Sequence, residues 1–597
     1  MSRKMLWTAF AFVACAAMLW PSPANAHALL SSTDPQSDQV VGESPERVTA
    51  TFSEPVEIAF GALRVHDTNA ERVDSGEATH PDGDSEAVTV ELESDLPEGT
   101  YTVTYRVISS DAHPIEGAFV FHVGRAGVRA EGIGETLLSG EGGSGTLEQV
   151  LYGVFRWGLF SALIVLGGAF FFLILVWNRS HQKQRDEAVD RAFIERWRKL
   201  VVWAWWVAVV ATGGGFILQG AVAADLSISG ALSPSVAGEL LQTRYGLVAA
   251  IRFGILVLLG AAWIIVSRSE AHRAIWPLRQ GSTVGAAAAE MPLPRWLTLG
   301  GIVLFGVLAA TPGLSGHAGA TDPVWLNVPT DALHVIAASI WIGGLVTLVW
   351  AAFRAYSPIE SGPSAEVLGP VVSRFSDVAM VAVAVLVATG VYRTWVEVQA
   401  WRAFVEAPYG WVLLTKVGVF LPLLAMGAVN NRVLKPRIKN AVDSPDSDGS
   451  GMNTMRKVVR VEIALGVVVL ALTALLVNLP PAKVEAGVSG PFIADVALGS
   501  DNLNVLIDPN EAGENIIHLT ATTPQGTPAK IKGMRVRFRM PEEGIGPLIA
   551  RGNELAPGHF AVQGRELSIP GTWILAVEAR IDKFTNTHAE VEVDVNP

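Results

Sequence analysis

The sequence contains a single cysteine, Cys15, in 597 residues. One thiol excludes disulfide frameworks and cysteine-ligated zinc sites. Positive charge is also scarce, because 44 Lys and Arg residues face 57 Asp and Glu residues and give a net charge of −13. Nucleic-acid binding is therefore excluded as the main function, since neutralising phosphates requires a basic surface.

Charged residues of either sign make up 17% of the chain, whereas soluble domains average about 25%. Half of the residues are hydrophobic. The length is about four times the ~150 residues of a typical domain, so several folded units are expected. These proportions favour a multi-domain membrane protein and argue against a soluble enzyme.

Residues 1–26 have the pattern of a signal peptide. Two basic residues precede an apolar core from Leu6 to Leu19, and the small residues Ala24-Asn25-Ala26 form a cleavage pattern. The apolar core is shorter than the ~20 residues of a membrane span. We expect export and cleavage before His27. An uncleaved anchor and a lipidated Cys15 are the alternatives.

The segment from His27 to Gly124 is strongly acidic, with 19 acidic residues against four arginines and no lysine, a net charge of −15. Alternating stretches around Val88 and Tyr101 predict short antiparallel strands of a small barrel or sandwich. We assign residues 27–126 to this domain and residues 127–150, which are rich in glycine, to a flexible linker.

A membrane domain of eight helices is predicted over residues 151–481. Its apolar runs are Phe155–Trp177, Leu200–Ala223, Tyr245–Val266, Trp296–Leu314, Thr330–Trp350, Asp377–Val398, Gly410–Asn431 and Val458–Leu479. Lys and Arg are concentrated after the first and seventh runs and are rare after the second, fourth and sixth. The positive-inside rule therefore places both chain ends outside.

Residues 482–597 are polar again, and their alternating segments predict an immunoglobulin-like β-sandwich. His518, His559 and His588 are scattered in this domain, and with Met534 and Met540 they form no spacing that demands a metal. The sequence favours a structural use of these residues.

One pattern in the acidic domain is suited to copper. Cleavage before His27 would give that residue a free α-amine beside its imidazole, and Asp111 and His113 are two apart in Ser110-Asp-Ala-His-Pro114. In an extended segment these two side chains share a face, although by spacing alone ordinary polar residues at a strand end are the alternative. Three nitrogens and one oxygen suit tetragonal Cu(II). Because methionine is missing between Met18 and Met291, a thioether Cu(I) site is not expected here.

These residues resemble the CopC family of periplasmic copper-binding domains. The likeness lies in His27-Ala28, Phe52-Ser-Glu-Pro-Val-Glu57, Leu96-Pro-Glu-Gly-Thr-Tyr-Thr-Val103 and Ser110–Pro114. The resemblance implies a β-barrel or sandwich that binds Cu(II) through His27, Asp111 and His113. The methionine-rich segment that forms a second, Cu(I) site in some members is missing here.

Ionisable groups in the membrane runs are costly and mark candidate functional sites. His317 follows the fourth run, and Asp331 and His334 lie near the outer end of the fifth, so these three are candidate copper acceptors. Arg252, Lys416 and Glu462 are candidate intramembrane polar residues, for which structural ion pairing is the alternative.

The membrane zone is similar to the CopD copper-transport family, and residues 482–597 are similar to YtkA-like domains. The CopD likeness lies in Tyr245-Gly246, Arg252, His317-Ala318, Asp331-x-x-His334, Trp341-x-Gly343-Gly344, Tyr409-Gly410, Lys416 and Asn430-Asn-Arg432; the YtkA likeness lies in Arg535–Pro541 and Gly571-Thr-Trp573. Together the three parts resemble the CopC–CopD fusion copper-transport proteins of the YcnJ type.

The resemblance implies a copper-homeostasis protein rather than an enzyme, multi-pass in the bacterial cytoplasmic membrane. We expect Cu(II) to be captured outside and passed to the helix bundle. For the membrane domain, Cu(I) is an alternative oxidation state of the bound copper. The partners are copper, lipid and an extracytoplasmic copper donor protein. Two alternatives remain: a membrane redox protein that holds haem or reduces Cu(II) through His317 and His334, and a tethered scavenger that confers copper resistance without transport.

The first test concerns the new N-terminus. We expect the mature chain to begin at His27, because residues 24–26 form the cleavage pattern. N-terminal sequencing and the intact mass of the membrane-extracted chain measure this directly. A different first residue, or a lipid on Cys15, would remove the amine from the predicted copper ligands.

Overall fold

The computed structural model describes residues 30–37, 39–125, 146–180, 187–268, 295–356, 364–398, 403–436, 450–479, 492–508, 510, 512–523, 527–541, 543–582 and 585–595. The predicted signal peptide, His27 and most of the predicted glycine-rich linker lie outside these residues. The predicted fold class is confirmed: a β domain is followed by apolar helices and then by a second β domain.

The N-terminal domain consists of two β-sheets that enclose one core. Its strands are β1 Leu30–Asp34, β2 Val40–Val41, β3 Arg47–Phe52, β4 Val56–Glu57, β5 Leu63–His66, β6 Asp74–Thr79, β7 Ala87–Leu92, β8 Gly99–Ser109 and β9 Pro114–Val123. One sheet has the order β1-β3-β7-β6, and the other has the order β2-β9-β8-β4 with β5 also on β8. Phe52, Val90, Val103 and Phe121 are buried between them, as period-two alternation requires.

The C-terminal domain has the same kind of two-sheet architecture. Its strands are β10 Phe492–Leu498, β11 Asp501–Asp508, β12 Asn515–Thr522, β13 Gly533–Met540, β14 Ile545–Arg551, β15 Asn553–Ala556, β16 His559–Gly564, β17 Gly571–Arg580 and β18 Asn586–Val595. The sheets have the orders β10-β11-β12-β16-β15 and β14-β13-β17-β18. Trp573, Phe538 and Phe560 fill the core between them.

Eight apolar helices form the membrane domain in the described part of the chain. Seven are long and apolar enough to cross a membrane: α1 Thr146–Ser180, α2 Ala188–Ala224, α3 Arg244–Ile264, α5 Val324–Ala355, α6 Leu368–Val398, α7 Pro408–Val433 and α8 Thr454–Leu476. The shorter α4, Thr298–Leu314, occupies the fourth predicted run. The chain is thus a multi-pass membrane protein.

Helix α5 begins earlier than its predicted run, which starts at Thr330. Pro329 lies inside the helix, and Val324 is its first residue. Asp331 is therefore seven residues, or about 10 Å, along the helix. The two candidate acceptors on α5 consequently lie deeper in the bundle than the sequence indicates.

The backbones of α1 and α5 touch at two glycines. A Cβ atom on Gly343 would overlap the carbonyl oxygen of Ile164, and one on Gly168 would overlap the backbone of Gly343. Small residues permit such close helix packing in membranes. Gly343 also closes a π-helical segment, Ser339–Gly343, that begins one turn after His334.

This contact yields a stability prediction. Gly343→Val should lower the unfolding temperature of the detergent-solubilised chain, at a cost of at least the ~1–3 kcal/mol typical of overpacking. Gly418→Val on α7 is the matched control, because a Cβ there meets nothing within 4 Å. Equal unfolding temperatures for the two variants would show that the α1–α5 contact is not tight.

Candidate metal-binding sites

Asp111 and His113 lie in the hairpin turn between β8 and β9. Pro114 begins β9, so the expected extended segment is instead a tight turn. Ala112 has a left-handed backbone conformation, with φ of 72°. The amide of Ala112 donates to the carbonyl of Ser109 at 2.9 Å, and the amide of Ser109 donates to the carbonyl of His113 at 2.9 Å.

The turn brings the two candidate ligands together. Oδ1 of Asp111 lies 3.0 Å from Nδ1 of His113. The Asp111 side chain is fully buried, whereas that of His113 is 20% exposed. The pairing predicted from the sequence is therefore present, although it arises from the turn and not from a shared strand face.

Hydrogen bonds fix the Asp111 carboxylate in place. The Ser109 hydroxyl donates to Oδ1 through a short bond, and the backbone amide of His113 donates to the same oxygen at 3.2 Å. Hydrogen bonds to a carboxylate are stronger than those between neutral groups. The site thus presents an oriented anionic oxygen beside an imidazole that solvent can reach.

Two of the sequence motifs meet at this turn. Strand β4, which lies in the Phe52–Glu57 motif, pairs with the end of β8 through Val56 and Ser109. The Ser110 hydroxyl donates to the carbonyl of Pro55 at 2.7 Å. The Phe52–Glu57 motif therefore supports the turn that carries Asp111 and His113.

Two other histidines of the domain are hydrogen-bonded within it. Nδ1 of His80 is 2.8 Å from the carbonyl oxygen of Ala87. Nδ1 of His122, which is buried, is 2.9 Å from the hydroxyl of Thr100. His27, the third ligand implied by the sequence, lies outside the described residues.

In the membrane domain, His317 is buried at the start of a short helix, His317–Ala320, that connects α4 to α5. His334 is on α5, and its Nδ1 is 2.8 Å from the hydroxyl of Thr389 on α6. Asp331 packs against Gly313 at the end of α4. The contact is close, since a Cβ atom on Gly313 would lie 2.7 Å from Oδ2 of Asp331. All three candidate acceptors thus lie on or beside the connection between α4 and α5.

Two basic side chains lie near two of the candidate acceptors. Arg393 and Lys416, on α6 and α7, interact electrostatically with both Asp331 and His334. Arg393 also forms a 2.6 Å ion pair with Glu397 one turn further along α6. The membrane domain therefore holds a cluster of mixed charge around Asp331 and not an isolated carboxylate.

Arg252 and Glu462 have separate partners. Nε of Arg252, which is 3% exposed, donates to the hydroxyl of Thr311 at 2.8 Å. The amide group of Asn430 donates to Glu462 at 2.7 Å, where a π-helical segment begins in α7. Each group is hydrogen-bonded to a neutral side chain.

Glu397 and Thr389 contribute to these sites but were not predicted from the sequence. Arg393 and Glu397 are spaced i,i+4, which is the signal of an ion pair on a helix. Thr389 could not be identified, because a threonine in an apolar helix has no distinctive spacing. His518 and His559, which appeared scattered, lie side by side with 3.0 Å between ring nitrogens.

Comparison with known families agrees with this arrangement. Residues 30–124 match the CopC domain, residues 147–289 match the N-terminal domain of copper resistance protein D-like proteins, and residues 369–476 match copper resistance protein D. The matched segments correspond to the first β domain, to helices α1–α3 and to helices α6–α8, and α4 and α5 lie between the two matches in the bundle.

Individual relatives cover the same regions. Copper transport protein CutJ of Bacillus subtilis (strain 168) is 25% identical over 518 residues, or 85% of this chain and 84% of that protein. Copper resistance protein D of Pseudomonas syringae pv. tomato is 32% identical over 38% of this chain and 73% of its own length. Copper resistance protein C of Escherichia coli is 33% identical over 17% of this chain and 83% of its own length.

These matches join two kinds of domain in one polypeptide: the CopC-like β domain that carries Asp111 and His113, and the CopD-like bundle that carries His317, Asp331 and His334. The chain belongs to the CopC–CopD family of copper transport and resistance proteins.

Proposed function

We propose that this protein acquires copper outside the cell membrane and transports it inward across the cytoplasmic membrane. The N-terminal domain captures Cu(II) through His27, Asp111 and His113, and the helix bundle accepts the metal at His317, Asp331 and His334. Both chain ends are extracytoplasmic in this scheme. The observation that carries the proposal is the 3.0 Å separation of the Asp111 and His113 ligand atoms in a fixed turn.

That separation suits neighbouring positions around one ion. Metal–imidazole nitrogen and metal–carboxylate oxygen bonds are about 2.0–2.2 Å long. Two such bonds whose ligand atoms are 3.0 Å apart enclose roughly 90°, as adjacent equatorial ligands of a tetragonal Cu(II) ion do. The set is completed by the amine and imidazole of His27.

The strand pairing supports a role for the chain's new N-terminus. Leu30 pairs with Phe52 on β3, and Val56, just beyond it, pairs with Ser109 at the turn. His27 is three residues before Leu30, and three extended residues span at most about 10 Å. The strand that follows position 27 therefore lies next to β3, which leads into the Phe52–Glu57 motif.

In the bundle, the mixed charges around Asp331 support transient rather than permanent binding. Lys416 and Arg393 compete with a cation for the Asp331 carboxylate. A transport site must bind its ion strongly enough to receive it and weakly enough to release it. Arg252, Lys416 and Glu462 remain candidate polar residues of the bundle, and Cu(I) is a second candidate for the ion that crosses.

We expect one added residue to weaken Cu(II) binding by the N-terminal site. An alanine placed before His27 in the mature full-length chain turns the ligating amine into an amide, which binds copper only after losing a tightly held proton. Changes outside the ligand shell typically cost 10–100-fold in metal affinity, so loss of a ligand should cost at least as much. Cu(II) titration followed by electron paramagnetic resonance measures the change.

His113→Ala should weaken Cu(II) binding at the same site by a comparable factor. His80→Ala should leave Cu(II) binding unchanged, because His80 is not a proposed ligand and its Nδ1 is hydrogen-bonded to a backbone carbonyl. Acid should release the metal, since protons compete for the imidazoles and the amine. Unchanged affinity in both the extended chain and His113→Ala would disprove the ligand assignment.

Transport is tested in cells. His334→Ala should reduce copper accumulation to the level of a strain without the gene, because it removes an acceptor imidazole that is hydrogen-bonded inside the bundle. Leu333→Ala is the matched control, since its side chain is 46% exposed on the neighbouring face of α5. Cellular copper is measured by elemental mass spectrometry.

If His334→Ala accumulates as much copper as the parent, the bundle is an anchor for a scavenger and the transport proposal fails. A Soret band in the spectrum of the purified chain that disappears in His334→Ala would instead indicate a haem-ligating redox protein. Each result is distinct from the uptake phenotype.

A further inference from the structure

The C-terminal domain contains a pair of histidines that the proposed transport scheme does not use. His518 lies on β12 and His559 on β16, which are adjacent antiparallel strands. His518 pairs with Ala561, and Thr520 pairs with His559, so the two histidines are diagonal neighbours. Nδ1 of His518 is 3.0 Å from Nε2 of His559.

These two rings do not belong to the apolar core of the sandwich. Ile517 and Leu519 on β12, and Phe560 on β16, point into that core. Because successive side chains in a strand alternate between faces, His518 and His559 occupy the opposite face of the sheet. They are nonetheless 8% and 5% exposed.

We propose that His518 and His559 bind one Cu(II) ion, forming a second metal site in the C-terminal domain. This inference goes beyond the proposed transport function and does not depend on the Asp111–His113 site. Imidazole is a suitable ligand for copper, and copper binds such nitrogen donors more tightly than the other divalent first-row metals do.

The distance between the nitrogens selects the geometry. Metal–imidazole bonds of about 2.0–2.1 Å place two nitrogens roughly 2.9 Å apart at a right angle, 3.4 Å apart in a tetrahedron and 4.1 Å apart in a line. The observed 3.0 Å is closest to the right angle. Adjacent equatorial positions of tetragonal Cu(II) fit the pair better than a tetrahedral Zn(II) or a linear Cu(I) site.

Metal binding requires a change of tautomer and a rotation of the rings, because in the hydrogen bond the two nitrogens point at each other and in a complex both point at the ion. In the hydrogen-bonded pair, one ring nitrogen carries the shared proton and the other accepts it. When the metal binds both nitrogens, that proton moves to the remaining nitrogen of its own ring, so both imidazoles stay neutral. Water or other groups can occupy the remaining coordination positions, and acid should release the ion.

The test uses the full-length chain in detergent with the substitutions His27→Ala and His113→Ala, which remove two imidazoles of the first site. We expect this double variant to retain a tetragonal Cu(II) signal with nitrogen splittings in electron paramagnetic resonance. Adding His559→Gln or His518→Gln should lower the bound Cu(II) by one ion per chain. His588→Gln is the matched control, because His588 is an exposed histidine on β18 of the other sheet.

Circular dichroism and the unfolding temperature establish that each variant is folded. If His559→Gln and His518→Gln do not fold, pulsed resonance on the double variant with His317→Ala and His334→Ala added decides, because that chain lacks the imidazoles proposed as acceptors in the bundle and copper bound to two imidazoles gives modulation from two remote ring nitrogens. The proposal is overturned if that chain shows no such modulation, or if folded His559→Gln binds as much Cu(II) as the His588→Gln control.

Discussion

The cost of burying polar side chains governs the arrangement of this protein, because an unpaired polar group in a low-dielectric interior is expensive. The Asp111 carboxylate is surrounded by donors from Ser109 and His113. In the bundle, Arg252 bonds Thr311 and Glu462 accepts from Asn430. Each partner also fixes where the polar atom points. At Asp111, the bonds that make burial tolerable therefore orient a candidate ligand atom before any metal arrives.

Much of the architecture could be predicted from the sequence, because β-strands and membrane helices have clearly different hydrophobic patterns. Alternating residues marked strands such as β7 and β17, and long apolar runs marked the membrane helices. The start of α5 could not be predicted, because Pro329 resembles a helix boundary. Inside a bundle, neighbouring groups can compensate for the hydrogen bond that a proline removes, so the helix continues through it.

The candidate sites were predictable to different degrees. The spacing of Asp111 and His113 drew attention to the pair, but a spacing of two does not distinguish a strand face from a turn in which Ala112 has a positive φ. Arg393 and Glu397 carried a helical spacing and could have been found. The contact between His518 and His559 depends on the register of β12 with β16, and no local pattern encodes a pairing across 41 residues.

In the proposed capture of copper, charge and coordination contribute in different ways. The region from His27 to Gly124 has a net charge of −15, which attracts any cation and is screened beyond about 8–10 Å at physiological salt. Such a field raises the encounter rate without selecting copper. Selection requires ligand atoms at a set separation, as Asp111 and His113 provide at 3.0 Å. Because short-range coordination is screened far less than the surface field, the acidity of the domain and its metal preference can be altered independently of each other.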